Sequence, residues 1–390
     1  MPTPDPIRIG ILGARQGRGI IGESMHDDHF VVTAACDTNQ ERIDKLKDQY
    51  SELQYFTNYD DLLSANVCDA VAVATPPSLH AEHSIRALEA GKHVYCEVIA
   101  GITIEELQSL VETVKRSGLV YMMAEQVNFR RYPLMVLNMI RDGVFGDLTY
   151  AQCGYIHDLK KLSVIGDGPG AWRYEWNFER AGNYYPTHAI GPVAWWMDLG
   201  NSDRMDTLIS MDSKPAALQE YIDSDEVPDD HPVKDESRNP SLGDVNKTLI
   251  KTERGRLIDL WFDVNSNRPN PSTIHFQLQG TQAAYDYDFA RHQRIYVKGR
   301  TNGWQDFWEF AGEYEHAIWK EQLHDWYRNH TGSTGRYMLQ EFARSIREGT
   351  KPPIDVYDAA DWSVIIPLSQ ESVVNGSRPV KFPDFRNLPS

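Results

Sequence analysis

The first 125 residues alternate short apolar runs with longer amphipathic segments, and that alternation restricts the chain to very few folds. The apolar runs are Ile7–Leu12, Val31–Cys36, Asp69–Thr75, His93–Cys96 and Leu119–Met123. Between them, Asn39–Tyr50, Ala81–Ala90 and Ile104–Ser117 repeat at helical spacing, while Asp60–Leu63 reads as a turn. Strands separated by helices cannot pair as hairpins. They form a parallel sheet with right-handed crossovers, and a ligand of such a sheet sits beyond the carboxyl ends of its strands. The residues at those exits, Asp37, Thr75, Pro76, His80, Glu97 and Glu125, are therefore the candidates for cofactor contact.

The first exit is rich in glycine. Gly13, Gly17 and Gly19 follow the run Ile7–Leu12 directly, though their spacing departs from G-x-G-x-x-G. In a strand–turn–helix context such glycines let the backbone approach a pyrophosphate at a helix N-terminus. Gly13, Arg15, Gln16 and Gly17 are the expected contacts. Asp37 follows at about the 20-residue offset at which an acid accepts hydrogen bonds from the adenosine ribose and repels a 2′-phosphate. The expected cofactor is NAD rather than NADP, held by a Rossmann domain over residues 1–125.

From residue 126 the pattern changes. A helix is expected over Pro133–Arg141, and strands over Thr149–Tyr155, Thr248–Thr252, Leu257–Asn265 and Ile274–Leu278. That predicts a C-terminal α/β domain over residues 126–390 with a mainly antiparallel open sheet. The acidic, proline-bearing stretch Tyr221–Pro240 reads as a surface loop. The stretch Gly182–Pro192 sets Tyr184, Tyr185 and His188 close together, with Thr187 placed to cap a helix beginning near His188. Imidazole titrates near neutrality and a phenol is a weak acid, a pairing suited to proton transfer. The plainer alternative, core aromatics beside a surface histidine, stays open on this stretch alone.

Composition narrows the partners. A net charge of −17 argues against nucleic acid or an anionic membrane. No apolar run approaches the roughly 18 residues of a membrane span, and the opening residues carry neither a basic nor an apolar signal segment, so a cytoplasmic protein is expected. Cys36, Cys68, Cys96 and Cys153 lack metal-ligand spacing and read as buried free thiols, with no metal site expected.

Several blocks in order resemble the Gfo/Idh/MocA oxidoreductases over the full length, and within them the NAD-dependent glycosidases of glycoside hydrolase family 109. They are Met122–Glu125, Met135–Arg141 with Gly143, Phe145 and Gly146, Gly154–Asp158, Tyr185–His188 with Gly191 and Pro192, Gly243–Asn246, and Asp355–Ser363. The resemblance implies a glycosidase with a sugar glycoside as its small-molecule partner. In this cycle sugar C3 is oxidised transiently by NAD, C2 loses a proton, the C1 substituent is eliminated, water adds, and hydride returns. Ordinary glycosidases instead flank the bond with two carboxylates. Residue by residue, the resemblance implies catalytic roles for Tyr155, Tyr185 and His188. It implies a cofactor contact for Glu125, a pocket position for His157, and a homo-oligomer, dimer or tetramer, built through the antiparallel sheet.

Three departures stand out. Val98 occupies the position where sugar dehydrogenases of the wider superfamily carry a lysine, which disfavours a simple dehydrogenase. The family's tyrosine in a Pro-Tyr-Ser segment is absent from Arg268–Ser272, and its His-Gly-Gly motif is replaced over His330–Thr334. The last two bear on sugar specificity. Lys160, Lys161 and Arg173 lie beside the matched blocks and suit a sulfonate or carboxylate. This leans toward an anionic glycoside such as that of the related family 188 sulfoquinovosidases. An α-N-acetylgalactosaminidase, a net NAD-dependent sugar dehydrogenase and a non-catalytic NAD or sugar sensor are the alternatives.

Overall fold

The computed structural model describes residues 5–25, 28–166, 172–234, 239–269, 272–321 and 334–387, with side chains at 272 and 273 left undescribed. The chain divides into two compact units. The first comprises residues 1–130, 317–363 and 384–390, and the second 131–316 and 364–383. The first boundary thus falls five residues past the expected cut, and the C-terminal third is shared between the units.

In the first unit, β1 (Ile7–Leu12), β2 (Phe30–Cys36), β3 (Gln54–Phe56), β4 (Ala70–Val73), β5 (His93–Cys96) and β6 (Tyr121–Met123) form one sheet. Its order is β3-β2-β1-β4-β5-β6, and every pair is parallel. Ile9, Ile11, Val71, Val73 and Val94 are completely buried, as strands covered on both faces must be. The helix Ile104–Ser117 shows why sequence and structure agree locally. Thr103 and Glu106 close a reciprocal capping box at its start, and Gly118 at φ 65° ends it. The segment Asp60–Leu63 lies within a short helix, Tyr59–Ser64, because Asn58 accepts a hydrogen bond from the Asp60 N–H and caps it.

The C-terminal helix Thr334–Glu348 completes this unit. Phe342 stacks on Phe30 at 5.9 Å and meets Tyr95 at 5.5 Å between ring centroids. Further on, the Met123 N–H donates to the Ile354 carbonyl, and the Ala100 N–H to Ser363 Oγ.

The second unit holds a nine-stranded sheet. Its strands are β7 (Leu148–His157), β8 (Met205–Asp212), β9 (Val245–Thr252), β10 (Leu257–Asp263), β11 (Ser272–Gly280), β12 (Ala283–Tyr287), β13 (Gln293–Val297), β14 (Gln305–Asp306) and β15 (Val380–Lys381). The order is β14-β13-β12-β11-β7-β10-β9-β8-β15. All neighbours are antiparallel except β7 and β10, which run parallel and pair Tyr155 with Phe262. One face is buried through Leu208, Ile250, Leu260, Phe276 and Tyr285. The opposite face leaves Ile209, Met211, Leu249, Leu257 and Tyr296 exposed.

The stretch Tyr221–Pro240 is not simply a loop where it is described. A helix runs Ala216–Asp223, and Tyr221, Ile222, Val227 and Val233 pack with Val164 and Leu218 into a small core. Four apolar residues spread along an acidic stretch are enough to anchor it. All four cysteines are buried free thiols. Among the described residues no helix is long and apolar enough to cross a membrane, and no group of three or more metal-binding side chains could hold an ion.

Candidate active site

In the first unit the glycine turn has the geometry a dinucleotide requires. Gly13 sits at φ 98°, and a Cβ there would fall 2.4 Å from the Ala74 carbonyl oxygen, so only glycine fits. At Gly17 a Cβ would lie 2.2 Å from Ile11 Cγ2, which makes this glycine the close helix–strand contact. Gly19 has open space around it, so nothing at this position requires glycine. The helix Ala14–Ser24 starts at Gly13 without a side-chain cap. Its first N–H groups, including those of Arg15 and Gln16, lack intrahelical acceptors, an arrangement that suits an anion. The Arg15 side chain is half-buried and that of Gln16 exposed.

Asp37 braces this turn. It is buried, accepting from the Ala14 N–H at 3.0 Å and the Asn39 N–H at 2.9 Å. Further along the sheet edge, the Thr75 hydroxyl lies 3.1 Å from His83 Nδ1. Burial pulls His83 down to about 4, so the neutral ring can accept the hydroxyl proton at pH 7. Pro76 is exposed and Glu97 half-buried. His80 has both ring nitrogens engaged, Nδ1 with the Ile99 carbonyl and Nε2 with that of Thr75, each at 2.7 Å. It ties together the loops leaving β4 and β5. Glu125 is fully buried and accepts from the Val127 N–H.

Asn128, three residues on, escapes sequence reasoning. Its side chain is completely buried with neither amide atom partnered. A buried amide without partners is costly unless a ligand completes it. Together with the Gly13 turn and Asp37 it fits a nicotinamide dinucleotide, and its only sequence signal is its position just after a strand exit.

The second unit gathers the phenol and imidazole groups. Tyr155 and His157 project from the same face of β7, their rings stacked at 4.0 Å. Tyr155 lies 5.1 Å from Tyr185 and 5.6 Å from His188, and Tyr185 lies 5.2 Å from His188, between ring centroids. The loop before His188 is pinned by its backbone. The Gly182 N–H donates to Asp212, the Asn183 N–H to Ser369 Oγ, and the Tyr185 N–H to Asn183 Oδ1. Gly182 takes φ 79°, where a Cβ would meet Ser369 Oγ at 2.6 Å.

Thr187 does not cap the following helix. The helix runs Thr187–Trp196 with Pro186 as its N-cap, so Thr187 is already its first residue and its buried hydroxyl makes no hydrogen bond. Pro192 lies within this helix and has no N–H to give the His188 carbonyl.

The three candidate cations separate sharply. Lys161 is exposed. Lys160 is buried but committed, bonding Asp158 at 2.7 Å and the Asn265 carbonyl at 2.9 Å. Arg173 is 8 % exposed, lies over the Trp172 ring at 4.1 Å, and has no carboxylate in salt-bridge range among the described residues. Burial works against its charge, yet the oxygens of Tyr155, Tyr184 and Tyr185 outweigh this and hold its pKa above the ordinary value. Trp172 is the aromatic neighbour that sequence reasoning did not place here, and Tyr184 was expected beside Tyr185 and His188. Tyr184 meets Phe262 edge-on at 4.7 Å. Of the two segments that depart from the family pattern, residues 270–271 and 330–333 lie outside the described residues.

A parallel sheet of this order, with its glycine turn and strand-exit acid, defines a protein with the NAD-binding oxidoreductase fold. Residues 7–125 match the oxidoreductase family with the NAD-binding Rossmann fold, and residues 129–388 match the glycosyl hydrolase 109 C-terminal domain. The chain belongs to the glycosyl hydrolase 109 family, and is an NAD-dependent enzyme acting on sugars. Glycosyl hydrolase family 109 proteins from Shewanella putrefaciens and Solibacter usitatus are each 36% identical to it. The alignments cover 98% and 97% of this chain, and 86% and 88% of theirs. Among solved structures, an inositol dehydrogenase homolog from Azotobacter vinelandii, complexed with NAD+, shares the fold at a TM-score of 0.76. That match has 18% identity and covers 98% of both chains. A levoglucosan dehydrogenase complexed with NADH matches at a TM-score of 0.74 and 18% identity, over 97% of this chain and 99% of that one.

Proposed function

We propose that this enzyme hydrolyses the glycoside of an anionic sugar, with a sulfonated sugar such as sulfoquinovose as the leading candidate, by transient oxidation at C3. When bound, NAD supplies reversible hydride transfer. What remains for the chain's own residues is proton work. A carbonyl at C3 acidifies the C2 proton, whose loss expels the C1 substituent, and water then adds at C1. We assign removal of the C2 proton to Tyr155, whose phenol oxygen has the Arg173 guanidinium as a hydrogen-bond partner and whose ring adjoins those of Tyr185 and His188. We assign the C3 hydroxyl proton to His188, with Tyr185 orienting the imidazole. His157, stacked on the Tyr155 ring, is assigned to the same site.

The observation that carries the anionic reading is the buried Arg173 guanidinium with no carboxylate partner among the described residues. Only phenol oxygens offset the burial of this guanidinium, so a formal counter-ion still has a place beside it, which a substrate sulfonate or carboxylate would fill. Lys160 has its counter-ion already in Asp158, so it is assigned to the scaffold rather than the substrate. The exposed apolar side chains on the open face of the nine-stranded sheet support self-association through that face.

The test is cleavage in deuterated water of nitrophenyl sulfoquinovoside and nitrophenyl α-N-acetylgalactosaminide, with and without added NAD. The expected result is nitrophenol release from the sulfonated sugar, deuterium at C2, and no net NADH. NADH in proportion to substrate without nitrophenol would instead establish a sugar dehydrogenase, and preference for the N-acetylated sugar would remove the anionic assignment.

A further inference from the structure

The acid that marks this chain for NAD does not stand alone. Arg42, in the first turn of the helix Gln40–Lys47, places Nη1 3.4 Å from both carboxylate oxygens of Asp37. Asp37 is nearly inaccessible, with 6 % of its side chain exposed, whereas 41 % of the Arg42 side chain is exposed. The two contacts are long beside the roughly 2.7–2.9 Å of a strong charge-assisted bond, and they engage a single nitrogen. Nε and Nη2 of Arg42 make no bond to any described residue. The cation is thus held loosely at the place where a dinucleotide's adenosine ribose meets the acid after the second strand.

This arrangement changes what Asp37 can do. An acid at this position selects NAD in two ways, by accepting the ribose hydroxyls and by repelling a 2′-phosphate. The first survives here, since each oxygen accepts one backbone N–H and its second lone pair meets only the long Arg42 contact. The second is weakened by the adjacent cation. Turning the guanidinium away from Asp37 breaks only long contacts and aims a planar fork of donors at a phosphate, the geometry that arginine offers best.

We propose that Arg42 sets the cofactor discrimination of this enzyme, so that it accepts the 2′-phosphorylated dinucleotide as a second cofactor alongside NAD. The inference rests on the first unit's reading as a dinucleotide domain and is independent of the sugar. The test is fluorescence titration of the whole chain with NADH and with NADPH, at low and at high salt. Unaltered protein is expected to bind NADPH within about tenfold of NADH, more weakly at high salt than NADH is. Arg42→Gln should weaken NADPH by about tenfold or more and NADH by less than about threefold, with Arg42→Lys recovering part of the loss. Because Arg42 is partly exposed and its contacts to Asp37 are long, both variants should melt like the parent. Equal weakening of both dinucleotides in Arg42→Gln, no weakening, or NADH binding without any NADPH binding to the parent overturns the proposal. Failure to bind either dinucleotide would remove the cofactor reading beneath it.

Discussion

The guanidinium carbon of Arg173 stands 5.3 Å from the ring centroid of Tyr185, the phenol three residues before His188. A cation in this position has the aromatic faces of Trp172 and Tyr185 and the phenol oxygen of Tyr155 for company and no described carboxylate, an arrangement that leaves room for an anionic partner. Arg173→Met should therefore raise KM for a sulfonated glycoside by about tenfold to a hundredfold. Arg173→Lys should recover only part of this, since a point charge lacks the planar fork. Steady-state kinetics on sulfonated and neutral glycosides separate the outcomes. An equal loss on both would assign Arg173 to the chemistry alone.

His188→Ala and Tyr155→Phe should each lower kcat by about a hundredfold to ten-thousandfold, the range expected when a proton-transfer group is removed. Both residues belong to the second unit, so NADH affinity, measured by fluorescence titration, should be unchanged. Loss of cofactor binding in either variant would contradict the sugar-side assignment.

The three glycines of the first turn should behave differently. Gly13→Ala places a Cβ against backbone at a positive φ and should cost about 1–3 kcal/mol or more. Gly17→Ala drives a methyl into Ile11 and should cost about 1–3 kcal/mol, as overpacking does. Gly19→Ala, in open space within a helix, should add about 0.5–1 kcal/mol. Urea unfolding of the three variants gives the ranking directly.

A pH effect follows from Asp358. Burial pushes its carboxyl up to about 7, with Asp355 adding to the shift and Lys351 opposing it. The folded state therefore keeps a proton that the unfolded chain releases near the ordinary value of 3.8, and stability contributed by this group is full below that value and lost as pH rises toward 7. Asp358→Asn removes the dependence while retaining an acceptor for the Asp355 N–H. The variant's thermal midpoint should rise relative to the parent between about pH 5 and pH 8, by some degrees. A constant difference across that range would exclude the titration.

Much of the first unit was readable because its signals are local. Apolar runs, caps and the Gly13 turn lie within a few residues of one another, and the parallel order follows from the connections. The three-residue strand β3 carries too little pattern to be seen. In the second unit the parallel β7–β10 pair joins segments about a hundred residues apart, which no periodicity encodes. Lys160 and Arg173 looked equivalent as sequence, yet Asp158 neutralises the first, with the Asn265 carbonyl accepting a further bond, while the second lies among aromatic rings. Arg42 was invisible for the same reason, since its meaning comes from the carboxylate it faces.

The return of Thr334–Glu348 to the first unit has a bearing on biosynthesis. Phe30 and Tyr95 await a packing partner, Phe342, that leaves the ribosome only after the whole of residues 131–316 has been made. At about 5–20 residues per second, that delay is on the order of ten seconds or more. Throughout it the nascent dinucleotide domain keeps an apolar seam uncovered, which makes the elongating chain, rather than the finished protein, the form most in need of chaperone protection.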